Sequence, residues 1–470
     1  MLTNCLVSDI MLLEGDITMK IRVVKISVCG IKNISEPLVI DFSSKIAKDV
    51  LKKVANVKGI FGINGTGKTA FITAIDIYKN ICISKNYLIQ KNTVRNLDKM
   101  INFSTKKLDI EVTYSILDMK KNWIIKHFIS IAKNGDEYEL LQEKVSRLKS
   151  RSLNDQFEDV IDIAKGKTNY NIEINEISED LNRNRSFICL YGLYLSKKEN
   201  FYTIDFIDDT FDFIFVFIGA INIRTVFLDA DSHKDYLANM DKKILDLISE
   251  YSKNKISKNN ETLSDVIKTT EGIDDLVYTD FLPGSERVEK KELGKYQSHI
   301  IKLTKFIRIF KPSLVEIKLD KKVYGDYYIV RKQFVYSESP EPIDFEFESA
   351  GIKNLVYLFS SLLYCANGGI TFIDEIDTNI NSVYLNKLIE FFIKYGKGQL
   401  CFTSHNMDTI DLLKNTCKGI SFFGMDGSID NWTQIGNKSP KNSFISGKIE
   451  NNPMNIEAID FLSVLNEEEN

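Results

Sequence analysis

The chain has 470 residues, 44% hydrophobic and 27% charged, which is the composition of a folded protein with room for two or three cores. Lys and Arg number 61 against 65 Asp and Glu, a net charge of −4, so the chain is no polycation and any nucleic-acid contact needs a local basic surface. Seven cysteines form no C-x-x-C pair and no Cys/His cluster at zinc spacing, and Cys29, Cys189, Cys365 and Cys401 lie in apolar surroundings. That predicts reduced core thiols and a cytoplasmic location.

Residues 1–18 are poorly patterned and read as an N-terminal extension. Asp9, Glu14, Asp16 and the absence of a basic start argue against a signal peptide. Lys20–Val28 alternates as a first strand, and Val39–Phe42 is its expected hairpin partner. The apolar stretch Val54–Phe61 predicts a buried strand. It feeds Gly62-Ile63-Asn64-Gly65-Thr66-Gly67-Lys68-Thr69, which fits G-x-x-x-x-G-K-[ST]. Ala70–Tyr78 follows with apolar residues at helical spacing. Strand, glycine loop and helix are the setting in which this motif binds nucleotide phosphates. Backbone N–H groups around Asn64, Gly65 and Gly67 close on the phosphates, Lys68 neutralises charge, and the Thr69 hydroxyl ligates Mg²⁺. An ordinary glycine turn that happens to carry a lysine is the competing explanation. Lys107–Tyr114 and Trp123–Ile129 alternate as further strands, which predicts an antiparallel sheet.

From 137 to 311 the pattern changes. Glu139–Leu148, Ile172–Leu181, His233–Tyr251 and Tyr296–Phe310 read as charged amphipathic helices. Asn- and Lys-rich connections such as Ser252–Lys255 and Ser257–Asn260 separate them, and no long heptad run is present. The segment reads as a helical lid or arm inserted in the core. The longest apolar run, Phe213–Ile221, is far short of the ~20 residues a bilayer span requires, so it predicts a buried segment and no membrane. Strands resume at Leu314–Lys318, Tyr327–Val335 and Ile343–Glu348, and helix and strand then alternate to 433. A tail over 434–470 holds one last expected helix near Ile456–Leu465.

Gly369-Ile370-Thr371-Phe372-Ile373-Asp374-Glu375 is an apolar strand ending in two carboxylates. After a phosphate loop this is the Walker B pattern: Asp374 holds Mg²⁺ and Glu375 orients or deprotonates the attacking water. The bland alternative is a solvated acidic turn. Gln399-Leu400-Cys401-Phe402-Thr403-Ser404-His405 is a second such strand, placing His405 where it can reach the γ-phosphate or the water. A lone histidine is more often a hydrogen-bonded structural residue. Ser349-Ala350-Gly351 precedes the apolar helix Val356–Ala366, where Ser349 is either an N-cap or a phosphate contact.

Together these residues resemble ABC-type ATPases, within them the SMC/RecF-like and OLD-like groups rather than transporters. Asn64 matches the G-x-N-G-x-G-K-[ST] form of the loop, Ser349-Ala350-Gly351 a degenerate signature, Asp374-Glu375 the Walker B pair and His405 the switch histidine. Ala350 and Ile352 depart from L-S-G-G-Q, Ile376 replaces a usual proline, and Asn381 stands where Asp or His is common. The resemblance covers 19–130 and 312–430. It implies an α/β fold, an ABC-type P-loop ATPase head with a mainly parallel sheet plus an antiparallel β-subdomain, interrupted by the helical lid. The expected division is 1–18, 19–136, 137–311, 312–433 and 434–470.

It also implies ATP and Mg²⁺ as ligands and an ATP-sandwich dimer or higher homo-oligomer, each phosphate loop facing Ser349 and Gly351 of the other copy. The signature looks most like ATPase subunits of bacterial anti-phage systems of the PARIS or Septu type. In those, the ATPase controls a separate effector such as a Toprim or HNH nuclease, with DNA or a phage protein as trigger. The alternative implied is a DNA-clamping repair ATPase, using Lys253-Asn254-Lys255 and Lys290, Lys291 and Lys295 on phosphates. A scaffold that binds ATP without turnover is a third reading, which Glu375 opposes. A transporter subunit fits least.

Overall fold

The computed structural model describes residues 20–43, 55–118, 121–148, 156–164, 167–168, 184–197, 208–228, 285–416, 418–432 and 438–449. Strand β1 (Lys20–Cys29) pairs antiparallel with β2 (Leu38–Asp41). Strand β3 (Val57–Phe61) is buried at every residue, as a strand covered on both faces must be. It leads through the glycine loop into α1 (Lys68–Ile83) and then α2 (Lys91–Met100). Next come β4 (Lys107–Asp118), β5 (Lys121–Asn134), β6 (Glu137–Leu148), β7 (Phe157–Ala164) and β8 (Lys167–Thr168). The seven strands form one antiparallel sheet in the order β2-β1-β4-β5-β6-β7-β8.

The structure corrects the expected helix at 139–148, which is strand β6 between β5 and β7. Its charged residues, which suggested an exposed helix face, find partners in the sheet and in the helices packed on it, Glu143 at the start of the helix at 187–197 and Arg147 on Asp212 at 3.1 Å. Lys144 pairs with Asp159 at 2.6 Å, and Ser146 donates to the same carboxylate at 2.9 Å. Pairing on both edges outweighs local helix preference.

Helices α3 (Phe187–Lys197) and α4 (Asp208–Ile221) follow, then β9 (Ile223–Phe227). The apolar run 213–221 lies in α4 with Phe213, Val216 and Ala220 buried in the core. Strand β10 (Ser285–Glu289) and α5 (Leu293–Phe310) precede β11 (Leu314–Tyr324), β12 (Tyr327–Tyr336) and β13 (Ser339–Asp344). These four strands form a small antiparallel sheet. The expected strand at 343–348 instead leaves β13 at Asp344 and becomes a tight 3-10 turn over Phe345–Phe347. The remainder is α6 (Ala350–Ala366), β14 (Ile370–Asp374), α7 (Ser382–Tyr395), β15 (Gln399–Thr403), α8 (Asp408–Leu413), β16 (Ile420–Phe423), β17 (Ile429–Asn431) and α9 (Pro440–Ile445).

A six-stranded sheet in the order β17-β16-β3-β15-β14-β9 is parallel except for its β16–β17 edge. Strand β9, from within the stretch expected to be a helical insertion, is therefore an edge strand of this sheet. Alternation sorts its side chains: Ile60, Phe372 and Cys401 face one core, while Phe61, Ile373, Leu400 and Phe402 face another with α7. Helix α1 lies between the two large sheets, with Phe71, Ile75 and Tyr78 in one cluster with Ile110 and Val112 of β4 and Phe372 of β14. All its residues but Thr69 and Lys79 are buried, so it carries apolar residues on every face. Among the described residues no helix is long and apolar enough to cross a membrane. The expected helices at 172–181, 233–251 and 456–465, the connections at 252–255 and 257–260, and residues 1–18 lie outside the described residues.

Candidate functional site

The C-terminal ends of β3, β14 and β15, three neighbouring parallel strands, bring the candidate residues together. After β3 the loop bends through Gly65 (φ +83°) and Gly67 (φ +96°), conformations glycine adopts without steric cost. A Cβ on Gly65 would point into open space, whereas one on Gly67 would lie 3.2 Å from Asn33 Oδ1. Lys68 Nζ donates to the carbonyls of Gly62 at 2.8 Å and Ile63 at 2.9 Å, and Thr66 Oγ1 donates to Ile63 O at 3.0 Å. The first turn of α1 has no acidic residue, so its free N–H groups and positive dipole end are left for an anion. Asn64 and Gly65 are exposed and Thr69 half-buried, all open to a ligand.

Asn33, in the turn after β1, donates from Nδ2 to Gly65 O at 2.6 Å and so anchors the loop from outside it. Gly30, Asn33 and Pro37 are turn formers, but the reach of Asn33 to Gly65 has no local signal in the sequence.

Across from the loop, Asp374 closes β14. Its Oδ1 accepts the Thr403 hydroxyl at 2.6 Å, and the same Thr403 oxygen accepts the Glu375 backbone N–H at 2.7 Å. Glu375 is left-handed (φ +50°), a strained conformation for a residue with a side chain that neighbours must hold in place. Thr403, quoted in the sequence only as part of a polar strand end, is thus the clamp on both carboxylate residues. His405 Nε2 lies 3.9 Å from Glu375 Oε1, both side chains about two-fifths exposed (40% and 41%). The backbone N–H of His405 donates to Asp377 Oδ2 at 3.1 Å, which fixes the histidine loop to the loop after Glu375.

Lys68 feels this wall directly. Burial lowers its pKa, and the carboxylates of Asp374, Glu375 and Asp377 pull it back up. Asp374, Glu375 and Asp377 make this wall negative, which suits a divalent cation. Among the described residues no group of three or more His, Cys, Asp or Glu could by itself hold a metal. Thr69 and Asp374 fit a Mg²⁺ that takes its other ligands from phosphate and water, as hard cations at nucleotide sites do.

The signature residues occupy the other side of the loop after Glu375. Ser349 caps α6, its side chain accepting from Ile352 N at 3.4 Å. A Cβ on Gly351 would lie 2.9 Å from Asn379 O, and Asn354 Nδ2 donates to Thr378 O at 2.8 Å. Gly351 and Asn354 thus lie against the 375–381 loop, while Ser349 bonds within its own helix start. Asn381 caps α7 through Val383 N at 2.9 Å, and Ile376 is buried in the core. Lys291 and Lys295 pair with Glu289 and Glu292 at 2.9 and 3.3 Å, the arrangement of a solvated surface, and Lys253–Lys255 lies outside the described residues.

Residues 58–411 match the family model described as "AAA domain, putative AbiEii toxin, Type IV TA system". A comparison with curated proteins finds no match. Solved structures of the recombination mediator protein RecF with ATP and with ATPrS are similar to this chain at 10% identity and a TM-score of 0.35 each. They cover 88% of this chain and 100% and 99% of their own. A superposition that loose adds nothing to the fold read from the strand pairing.

Proposed function

The chain belongs to the AAA-domain family whose description names the AbiEii toxin and type IV toxin–antitoxin systems, and from that premise we propose an ABC-type ATPase that controls a separate effector in bacterial anti-phage defence. The observation carrying the ATPase reading is the wall of Asp374 and Glu375, whose charges act on Lys68, with Thr403 bonded to both Asp374 and the Glu375 backbone and His405 beside Glu375. The defence reading rests on the family description and on the resemblance of Glu348-Ser349-Ala350-Gly351 to the signatures of such subunits.

In this reading the N–H groups of 64–69 and Lys68 hold the phosphates of ATP, and Asn33 keeps the loop open to them. Mg²⁺ held by Thr69 and Asp374 neutralises charge on the phosphates when bound. Glu375 orients the attacking water and takes its proton, and His405, beside it, steadies the same water or the leaving phosphate. Ser349 and Gly351 of a second copy close the site, so ATP clamps two heads and hydrolysis releases them. The output then passes to a nuclease or toxin on another chain in the cytoplasm.

The test is Glu375→Gln. ATP turnover should fall by about 100-fold or more, with ATP binding retained and the closed assembly accumulating. Mass spectrometry of the variant purified with ATP from its native host should show a stoichiometric nuclease or toxin. Turnover at the wild-type rate would remove Glu375 as base. A protein that emerges alone in every nucleotide state would remove the defence reading, and turnover stimulated by DNA would replace it with a DNA clamp.

A further inference from the structure

Asp377 lies outside both the strand end that carries Asp374 and the loop that carries His405, yet it joins them. The backbone around it is set by hydrogen bonds from Ile376 N to Thr403 O at 3.1 Å, Thr378 N to Glu375 O at 2.9 Å and Ile380 N to Asp377 O at 3.2 Å. Left-handed Glu375 (φ +50°) and Asn379 (φ +58°) stand two residues to either side, so the turn is strained at both ends. From this support Asp377 Oδ2 accepts the His405 backbone N–H at 3.1 Å. The histidine loop otherwise braces itself, with Asn406 N on Ser404 Oγ and Asp408 N on Asn406 Oδ1, both at 2.9 Å. Asp377 Oδ1 is buried and meets no hydrogen-bond donor among the described residues. A buried acceptor left alone lowers stability, and such an atom calls for a reason other than folding. With no donor on Oδ1, the carboxylate directs its charge to the bond with His405 N, and a charge-assisted bond is about twice as strong as a neutral one.

The consequence lies at the imidazole. His405 Nε2 stands 3.9 Å from Glu375 Oε1, too far for a hydrogen bond, and both side chains are partly exposed. The imidazole therefore keeps its place through its backbone, and that backbone is tied to the Glu375 loop at Asp377. We infer that Asp377 is a positioning residue that keeps His405 beside Glu375. The inference rests on the role given to His405 above and adds the side chain that sets the histidine against the base. Because the tie runs to a backbone N–H, it forms whatever side chain stands at 405, and its effect on turnover passes through the imidazole alone. The charge of Asp377 also acts on Lys68, a separate route that would alter nucleotide binding instead.

The experiment makes Asp377→Asn and Asp377→Ala in the full-length protein, each with His405 present and with His405→Ala. Asp377→Ala should lower kcat about tenfold with KM for ATP changed by no more than about twofold. Asp377→Asn, which keeps an uncharged acceptor, should lie between it and wild type. In the His405→Ala background neither substitution should lower kcat further by more than about twofold. A second readout needs no nucleotide. The chain has four histidines, and the NMR signal of the His405 imidazole, identified by its loss in His405→Ala, should move toward that of a solvated histidine in Asp377→Ala. Losses that add in the double variants overturn the inference. So does a raised KM at unchanged kcat, which would leave the charge acting on Lys68 as the cause. An asparagine variant no faster than the alanine one removes the bond to His405 as the origin of the effect. An imidazole signal that stays in place overturns the inference even where turnover falls. A wild-type protein without ATP turnover, or a His405→Ala protein at full rate, would overturn the role given to the histidine, while the imidazole signal would still decide whether Asp377 sets it. Melting curves check folding, and the asparagine variant carries both readouts if the alanine one does not fold.

Discussion

Thr403→Val tests whether the carboxylate wall is held as described. The change is nearly isosteric, but it removes the hydroxyl that donates to Asp374 Oδ1 at 2.6 Å and accepts from Glu375 N at 2.7 Å. Thr403 is fully buried, so water cannot replace the lost partner. A hydrogen bond to a charged group is worth about 2 kcal/mol, and a buried N–H left without an acceptor costs about 1 kcal/mol or more, giving a loss of about 3 kcal/mol. The strained Glu375 backbone, at φ +50°, is then free to relax, and its carboxylate moves away from its place beside His405. A displacement of about 1 Å costs roughly 100-fold in rate. Urea unfolding should report the stability loss and steady-state ATP hydrolysis the fall in kcat, with KM little changed because the phosphate loop is untouched. Thr403→Ser, which keeps the oxygen, should retain most of both. A valine variant that hydrolyses ATP within twofold of wild type, while folded, would refute Thr403 as the clamp.

Lys68→Ala removes the ammonium that now rests on the Gly62 and Ile63 carbonyls, and ATP affinity measured by calorimetry should fall at least about tenfold for the loss of one charge-assisted contact. Unchanged affinity would place the phosphates elsewhere. Glu143→Gln probes a different feature. Buried Glu143 accepts from Ser186 Oγ and Phe187 N, both at 2.6 Å, and from Ile188 N at 3.3 Å, and it faces His127 Nε2 at 3.2 Å. His127 Nδ1 in turn meets the Tyr78 hydroxyl of α1 at 2.8 Å. An amide turns one acceptor into a donor facing donors, so unfolding should show a loss of about 3 kcal/mol and hydrogen exchange should rise at the start of α3. Wild-type protection there would mean the carboxylate does not hold the helix.

The phosphate loop, the acidic end of β14 and the histidine after β15 were legible in the sequence because each is a short segment whose chemistry depends on adjacent residues. Gly62–Thr69 and Gly369–Glu375 carry their strand and turn signals within a few positions. The buried strands and α1 followed from apolar spacing alone. What lay beyond reach depended on partners distant in the chain. Glu139–Leu148 has the composition of an exposed helix, and only β5 and β7 on its two edges make it a strand. Strand β9 joins β14 across more than a hundred intervening residues, a pairing no local pattern encodes. Thr403 reaches Asp374 because the neighbouring strands β15 and β14 end at the same edge of one sheet, and Asn33 reaches Gly65 from a turn of the other large sheet. Local sequence determines which backbone forms and which groups can do chemistry, since these depend on short-range sterics and residue type. Tertiary structure decides which of those groups meet, since hydrogen bonding and burial are satisfied only between segments that the folded chain brings together.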